Sequence, residues 1–411
     1  MGDDVTADLF AGVRVVELAQ FVFVPVTGAL LADWGADVVK IEHPVTGDGY
    51  RGLATQGIGA SSGAVNVSME LANRGKRSAA LDVKSPEGRA LLLRLVEQAD
   101  VFLTNMLPDS LERLGLGVDE LRAVNPSLIY ARGHGYGARG PDASKPAYDA
   151  TAFWARGGMG RTLTPVGLPE PIAQRGALGD RNGAVQLAFG VAAALFKRER
   201  TGRGSVVDVS LLATAMWMLG SDVLAALQGT YQPAVLPAPG ERPVPPNPLT
   251  ANFRTADDRH LTLCFLQPDR YWPDLCRAID RPDLLADERF ADLRVRGQHA
   301  AECLAALDAV FASRTLDQWR EAFADEAFPW EPFQAVTEMH ADRQVVANGY
   351  IGEVVDGDVR FSMPAGAVQF DEQPAPMRRA PEHGQHTDEV LLALGLTMDD
   401  ILELKISDVV R

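Results

Sequence analysis

Short apolar runs alternate with segments of helical spacing over the first 140 residues of the chain. Residues 13–18 and 38–42 predict strands because they are rich in β-branched side chains, and residues 28–34 between them predict a helix. Strands that alternate with helices predict a parallel sheet covered on both faces, and therefore an α/β fold. The alternation continues with strands predicted at 78–83, 100–103 and 128–131 and helices at 88–98 and at 110–114 or 119–124.

A proline-rich segment divides the rest of the chain. Before it, residues 183–198 predict a buried helix and 205–209 a strand, with another apolar helix from Ser210. Residues 233–248 hold seven prolines in sixteen positions, a density that prevents regular structure. A helix is predicted again at 388–404. We predict a large domain in residues 1–232, a linker in 233–251, a smaller domain in 252–333 and a return segment, 334–411, that completes the large domain.

Net charge and apolar patterning exclude several classes of function. The 411 residues include 39 basic and 55 acidic side chains, which gives a formal net charge of −16. Nucleic acids and anionic membranes are disfavoured as partners, because neutralising their phosphates needs a basic surface. The longest apolar stretch, residues 184–196, is shorter than the ~20 residues that span a bilayer, and the N-terminus lacks a signal-peptide pattern. We expect a cytoplasmic protein.

The spacing of cysteines and histidines predicts neither a disulfide framework nor a metal site. Cys264, Cys276 and Cys303 are widely separated and form no CxxC pair. His383 and His386 are the only closely spaced histidines, and no third ligand follows at metal-site spacing. We therefore predict no metal. A serine-hydrolase function is also excluded, because no Ser lies in a Gly-x-Ser-x-Gly elbow.

A glycine-rich segment at residues 135–140 matches the GxGxxG pattern of dinucleotide-binding loops. That fingerprint requires a helix to begin at the third glycine, whereas Pro141 and a polar loop follow here. We predict a glycine loop after a strand, and an NAD-dependent dehydrogenase is disfavoured.

Two local features allow a functional and a structural interpretation. The basic run at residues 73–77 fits either a phosphate-binding patch or a solvated turn. Asp180 lies beside Gly179 and just before the predicted helix at 183–198. Its carboxylate fits either an N-cap of that helix or an exposed nucleophile toward an activated acyl group. The residues alone leave both alternatives open.

Ordered short motifs occur along nearly the whole chain. They comprise residues 9–18, 31–42, 46–48, 73–78, 81–82, 105, 108, 113–115, 125–126, 137, 140–141, 148–149, 179–180, 201–204 and 384–387. Together these motifs resemble the class III coenzyme A transferase family, which includes formyl-CoA transferase, carnitine-CoA transferases and α-methylacyl-CoA racemase. The last of them, Gly384-Gln385-His386-Thr387, is similar to the family's Gly-Glu-His-Thr signature.

The resemblance implies a fold, an assembly and a reaction. It implies a large Rossmann-like α/β domain built from both chain ends, a smaller inserted α+β domain, and a homodimer of two interlocked rings. It also implies an acyl-CoA:carboxylate CoA-transferase, with an acyl-CoA donor and a carboxylic acid acceptor as partners. Coenzyme A would be part of the substrate, with no tightly bound cofactor. Asp180 matches the family's catalytic aspartate, which forms a mixed anhydride and then an aspartyl-CoA thioester.

The resemblance also implies binding residues. The implied CoA contacts are His43, Arg74, Lys76, Asn105 and Arg113. The implied acyl pocket contains Val22, Phe23, Tyr148 and Gly179. Val22 departs from the formyl-CoA transferase branch, which has Gln there, so we expect a larger or more apolar acyl group than formyl or oxalyl.

Two alternatives to a transferase remain open. The racemase branch has His where this chain has Tyr148, and a phenol is a poor replacement for imidazole as a base at neutral pH. A transferase is therefore favoured over an α-methylacyl-CoA racemase or epimerase. The other alternative is a non-catalytic, CoA-binding partner subunit. No motif identifies the acyl donor or the acceptor acid.

Overall fold

Six strands form one parallel sheet in the computed structural model, which describes residues 9–53, 61–62, 65–238 and 241–411. The strands lie in the order β3-β2-β1-β4-β5-β6, and every neighbouring pair is parallel. The predicted parallel α/β sheet is confirmed. The strands are β1 Arg14–Leu18, β2 Asp37–Glu42, β3 Arg77–Ala80, β4 Val101–Thr104, β5 Ile129–His134 and β6 Val206–Ser210.

The strand order reverses at β1, which pairs with β2 on one side and β4 on the other. Val15 lies opposite both Val38 and Val101. All three side chains are buried, because this strand lies inside the sheet with both faces covered. The order is that of Rossmann-type sheets, in which such a reversal opens a crevice at the carboxyl ends of the strands.

Helices cover both faces of the sheet and enclose two apolar cores. The first core contains side chains of the helices α1 Phe23–Asp33 and α7 Leu178–Thr201, and the second contains side chains of the helices on the other face. Both alternative helices of residues 110–124 are present. The remaining helices up to residue 235 are α2 Val67–Asn73, α3 Pro86–Glu97, α4 Pro108–Leu114, α5 Val118–Val124, α6 Met159–Leu163, α8 Leu211–Met218 and α9 Gly220–Leu227, with a π-helix at Ala150–Arg156.

The C-terminal segment packs against β3. The His386 N–H donates to the Ser78 carbonyl (2.8 Å), and the Ala80 N–H donates to Thr387 Oγ1 (3.0 Å). The single helix predicted at 388–404 is wrong: the chain forms two helices, which are separated at Gly395, whose φ of 86° interrupts the first. This segment contains α15 Arg343–Ala347, β10 Ile351–Asp356, β11 Val359–Pro364, α16 Thr387–Ala393 and α17 Met398–Ile406.

The chain divides into two compact units, Met1–Val235 with Arg343–Arg411, and Leu236–Asp342. The predicted domain boundaries at residues 232, 251 and 333 stay predictions, and linker residues 239 and 240 lie outside the described residues. The smaller unit has its own apolar core, which includes Phe253, Phe311 and Trp319. Its elements are β7 Asn252–Arg254, β8 His260–Leu263, β9 Trp330–Pro332, α10 Pro268–Ala278, α11 Pro282–Ala286, α12 Leu293–Gln298, α13 Ala300–Phe311 and α14 Leu316–Ala322.

Short 3₁₀-helices occur at Gly49–Gly52, Glu288–Phe290 and Val336–Ala341, and a two-residue antiparallel pair joins Ser61–Ser62 to Val65–Asn66. No helix within the described ranges is both long and apolar enough to cross a bilayer.

Candidate active site

A cavity of about 530 Å³ lies at the carboxyl ends of the strands. Ligands of open parallel α/β sheets bind at this edge, where the strand order reverses. The cavity is therefore the candidate active site. Residues at or just after the end of every sheet strand line it: Ala19, Gln20, His43, Leu81, Asp82, Asn105, His134, Gly135 and Leu211.

The loops after β1 and β4 are joined directly at the point of reversal. The Gln20 N–H donates to Asn105 Oδ1 (3.1 Å), and Asn105 Nδ2 donates to the Gln20 carbonyl (2.7 Å). The next residue, Phe21, has a φ of 66°, which is uncommon for a side chain of this size. The Phe21 N–H donates to Asp48 Oδ1 (3.1 Å), so Asp48 helps to hold this conformation.

A buried ion-pair cluster lies beneath this loop. Lys40 Nζ is 2.8 Å from Asp48 Oδ2 and 3.1 Å from Glu17 Oε1. Burial opposes the charged form of Lys40, but attraction by Asp48 and Glu17 outweighs it and raises the pKa of Lys40 above its ordinary value. Lys40 therefore stays charged and fixes the position of the Asp48 carboxylate.

Asp180 lies in the first turn of α7, a helix of 24 residues, and lines the cavity. Burial, together with repulsion by Asp149, raises the pKa of Asp180 to about 7, against a lowering effect of Arg181. The aligned peptide dipoles at a helix N-terminus favour negative charge at this position. Asp180 is thus a carboxylate that can exist in both protonation states near neutral pH.

Asp149, and not Asp180, caps the start of α7. The Gly179 N–H donates to Asp149 Oδ2 (3.1 Å), while Asp180 makes no side-chain capping bond and the N-cap residue is Ala177. The interpretation of Asp180 as an N-cap is therefore wrong. A Cβ on Gly179 would lie 2.4 Å from Asp149 Oδ1 and 2.2 Å from Phe153 Cγ, so only glycine fits between them. Burial also raises the pKa of Asp149, against lowering by hydrogen bonds that include those from Gly179 and Asp180 N–H.

The structure brings together most of the residues predicted from sequence. Gly179 is next to Asp180 in α7 but does not line the cavity, and Arg113 lies on α4, where it donates to Ser110 Oγ (3.0 Å). The predicted residues that line the cavity are Val22, Phe23, His43, Asn105, Tyr148 and Asp180.

Arg74 and Lys76 lie elsewhere, buried in ion pairs. Arg74 makes two hydrogen bonds to Asp33 (2.8 and 2.6 Å), and Lys76 Nζ lies 2.7 Å from Glu17 Oε2. Burial lowers the pKa of Lys76 to about 8, although Glu17 acts in the opposite direction. The solvated turn and the phosphate-binding patch both presume exposed cations, and neither side chain is exposed here.

Three basic residues that line the cavity, Lys84, His134 and Lys145, were not selected from the sequence. His134 is the last residue of β5, and its Nε2 lies 3.2 Å from Asp208 Oδ1. Lys84 follows the predicted strand at 78–83, and Lys145 lies in the polar loop that follows the glycine-rich segment. The available signal was their position, since all three lie at or beyond the carboxyl end of a predicted strand.

In the part of the chain that the structure describes, no group of three or more His, Cys, Asp or Glu side chains has a geometry suited to a metal ion.

The fold and cavity define an α/β protein with a ligand-sized cavity at the carboxyl edge of a parallel sheet, and the largely buried carboxylate of Asp180 is among the groups that line it. The sequence profile of CoA-transferase family III matches residues 10–387. The chain belongs to this family and is an enzyme of the CoA-transferase class. The family resemblance predicted from the motifs is confirmed.

Known proteins of the family are similar over almost the full length. The chain is 32% identical to (R)-2-hydroxy-4-methylpentanoate CoA-transferase of Clostridioides difficile, covering 98% of this chain and 100% of that protein. It is 34% identical to cinnamoyl-CoA:phenyllactate CoA-transferase of Clostridium sporogenes, covering 97% and 96%. The crystal structure of a CAIB/BAIF family protein from Brucella suis superposes with a TM-score of 0.79 at 27% identity, covering 94% of this chain and 99% of that one. CoA-transferases of this kind use acyl-CoA and carboxylate substrates.

Proposed function

We propose that this enzyme transfers CoA from an acyl-CoA to a carboxylic acid through covalent intermediates on Asp180. The observation that carries the proposal is a largely buried carboxylate of raised pKa, in the first turn of a long helix and facing the cavity. A carboxylate so placed is weakly solvated and oriented, as a nucleophile must be.

The proposed steps conserve charge and need no external base. Ionised Asp180 attacks the thioester carbonyl, the C–S bond breaks, and CoA leaves as a thiolate, which gives an acyl-aspartyl anhydride. The thiolate then attacks the aspartyl carbonyl, releases the donor carboxylate and leaves an aspartyl-CoA thioester. An acceptor carboxylate repeats both steps in reverse. The positive end of the α7 dipole supports the negative charge that develops in each step.

We propose that CoA contacts come from the residues that line the cavity. His43 and Asn105 remain in this role, and Lys145 supplies a cation for phosphate. Arg74 and Lys76 are proposed instead to have a structural role, because their charges are paired with Asp33 and Glu17. Arg113, which does not line the cavity, stays a proposed contact.

The acyl group is proposed to be larger or more apolar than formyl or oxalyl. Val22 and Phe23 line the cavity and are buried, so this wall offers no polar partner to a small polar acyl group. Two of the similar enzymes are named for 2-hydroxy-4-methylpentanoate and for cinnamoyl-CoA and phenyllactate, which are branched or aromatic acids. Their names support the same expectation for this chain.

One observation favours a racemase as the second candidate. Tyr148 replaces the histidine of the racemase branch, but His134 lines the same cavity as Asp180 and bonds to Asp208. Two titratable groups in one cavity could exchange a proton at the α-carbon of an acyl-CoA. Incubation of 2-methylacyl-CoA in deuterated water without an acceptor acid tests this, since deuterium at the α-carbon would favour the racemase.

We also propose that the chain forms an interlocked homodimer. Three neighbouring helices of the larger unit, α7, α8 and α9, expose a set of large apolar side chains, and extensive apolar exposure of this kind typically marks an interface. The set comprises Val185, Phe189, Phe196, Met216, Trp217, Leu224 and Leu227.

The transferase proposal is tested by isotope exchange between an acyl-CoA and its own labelled acid, which requires no knowledge of the natural pair. We would use 3-phenylpropanoyl-, 4-methylpentanoyl-, butanoyl- and succinyl-CoA. Asp180→Asn is expected to reduce exchange with every pair at least 10³-fold, a loss of about 4 kcal/mol in transition-state stabilisation. In the wild-type enzyme incubated with acyl-CoA, peptide mass analysis should find CoA attached to the peptide containing Asp180.

Asp119→Asn is the matched control, because Asp119 is an exposed carboxylate in the first turn of α5. It should exchange at the wild-type rate. Exchange by Asp180→Asn at more than a tenth of the wild-type rate would contradict the assignment of the nucleophile.

A further inference from the structure

An aromatic pair lines the same cavity as the proposed nucleophile. The rings of Phe21 and Tyr148 pack edge to face, with centroids 5.4 Å apart and planes at 85°. Both residues line the cavity that contains Asp180. Tyr148 precedes Asp149, whose carboxylate accepts the Gly179 N–H one residue before Asp180. The pair therefore lies at the end of the cavity where the acyl group reacts.

The conformation of Phe21 is strained, and a buried cluster maintains it. A φ of 66° is unfavourable for a residue with a Cβ and persists only when the surroundings enforce it. Asp48 accepts the N–H groups of both Phe21 (3.1 Å) and Tyr50 (2.9 Å), and Lys40 lies 2.8 Å from its other oxygen. Strain of this kind beside a reaction site suggests that the position of the ring has a function.

The wall next to this pair is apolar apart from one carboxylate. It consists of the two segments 21–23 and 147–149, in which Asp149 is the only charged residue. Lys145 precedes the second segment in the same lining, but its Nζ lies 5.3 Å from the centroid of the Tyr136 ring, and it is proposed above to bind a phosphate of CoA. With Asp180 nearby, two carboxylates would repel a second carboxylate on the acyl chain, whereas the edges and faces of the two rings favour another ring.

We infer that Phe21 and Tyr148 determine acyl specificity by packing against a ring on the acyl chain of a monocarboxylic acid. The inference rests on the proposed transferase function and names its substrate class. Phe21 and Tyr148 contact the substrate side chain, while Lys40 and Asp48 position the Phe21 ring.

The exchange assay tests this inference directly. Wild-type kcat/KM for the 3-phenylpropanoyl pair should exceed that for the butanoyl and succinyl pairs at least tenfold. Phe21→Ala should lower the 3-phenylpropanoyl value about tenfold and the butanoyl value less than twofold. Equal or faster exchange of the succinyl pair, or an equal loss for all pairs in Phe21→Ala, would overturn the inference while leaving the transferase function intact. Exchange with no pair at all would overturn both.

Two further variants separate loss of the ring from a general disturbance of the loop. Phe21→Gly also removes the ring but suits a positive φ, so it should lose the preference for the aromatic acid without disturbing the backbone of the loop. Tyr148→Phe keeps the ring and should keep the preference. Phe333→Ala, which removes an exposed ring of the smaller unit, is the control and should match the wild type. A Phe21→Gly variant that retains the preference would contradict the inference.

Discussion

The charged side chains of this enzyme differ most in whether burial leaves them with a partner. Lys40 is fully buried between two carboxylates, which keep it charged. Asp180 is largely buried as well, but the charges that act on it are a second carboxylate, Asp149, which raises its pKa, and more weakly Arg181, which lowers it. An ionised Asp180 therefore costs stability, and the cavity holds a carboxylate that is more easily protonated and more reactive than an exposed one.

This cost predicts how stability depends on pH. Because the pKa of Asp180 is raised from 3.8 to about 7 on folding, its contribution to stability is lost as pH rises through about 7. Asp180→Asn should therefore stabilise the fold at pH 8 by on the order of 2 kcal/mol, and the gain should shrink as pH falls toward 4. Urea unfolding at pH 5 and pH 8 measures the difference, with Asp119→Asn as control. A gain that does not depend on pH would show that ionised Asp180 carries no such cost.

Two helices, α1 and α7, set the position of the site by packing closely against each other. Phe23 at the start of α1 lies against the second turn of α7, where a Cβ on Gly183 would come within 2.7 Å of Phe23 Cε2. The glycine therefore allows the helix that carries Asp180 to approach the loop after β1. The contact thus connects the wall proposed for the acyl group with the helix that carries the proposed nucleophile.

Gly183→Ala tests this contact at the level of the helix. Alanine improves helix propensity by about 1 kcal/mol, but overpacking costs about 1–3 kcal/mol, so we expect a net loss of about 1 kcal/mol. The displaced Phe23 should also reduce CoA exchange. Gly220 lies at the start of α9, and a Cβ added there would meet no other atom within 4 Å. Gly220→Ala should therefore lose neither stability nor CoA exchange. Unfolding curves measure the change in stability, and exchange rates measure the change in activity. A Gly183→Ala variant more stable than wild type would contradict the packing argument.

At the scale of the whole molecule, the exposed apolar face on α7, α8 and α9 predicts an assembly. The chain has a mass of 44.3 kDa, so sedimentation should give twice that value for a dimer. Trp217 is 79% exposed, and Trp217→Glu should shift the species toward 44.3 kDa, because it would bury a charge in the interface. Ile406→Glu, on the exposed side of α17, should remain dimeric. A wild-type monomer, or a Trp217→Glu dimer of unchanged affinity, would contradict the proposal.

Most of the framework could be predicted from the sequence. Strands such as 13–18 and 38–42, and the parallel sheet that they form, follow from local apolar patterning, which depends only on neighbouring residues. The placement of Asp180 at the start of a helix after a glycine was predicted in the same way, although the helix begins earlier, at Leu178, than the pattern at 183–198 indicated. The break between α16 and α17 was not predicted, because apolar residues continue on both sides of Gly395.

What the sequence determined by itself is the order of elements, the family and the region that carries the proposed nucleophile, because each is encoded in short contiguous segments. Only the tertiary structure decided that the basic side chains of Arg74 and Lys76 are buried in ion pairs. Arg74 meets Asp33 from 41 residues away and Lys76 meets Glu17 from 59 residues away, so both turn inward. It also decided that Asp149 caps α7 and that Phe21 is held by Asp48. In each case the partner is distant in sequence, and burial makes pairing with it more favourable than remaining unpaired.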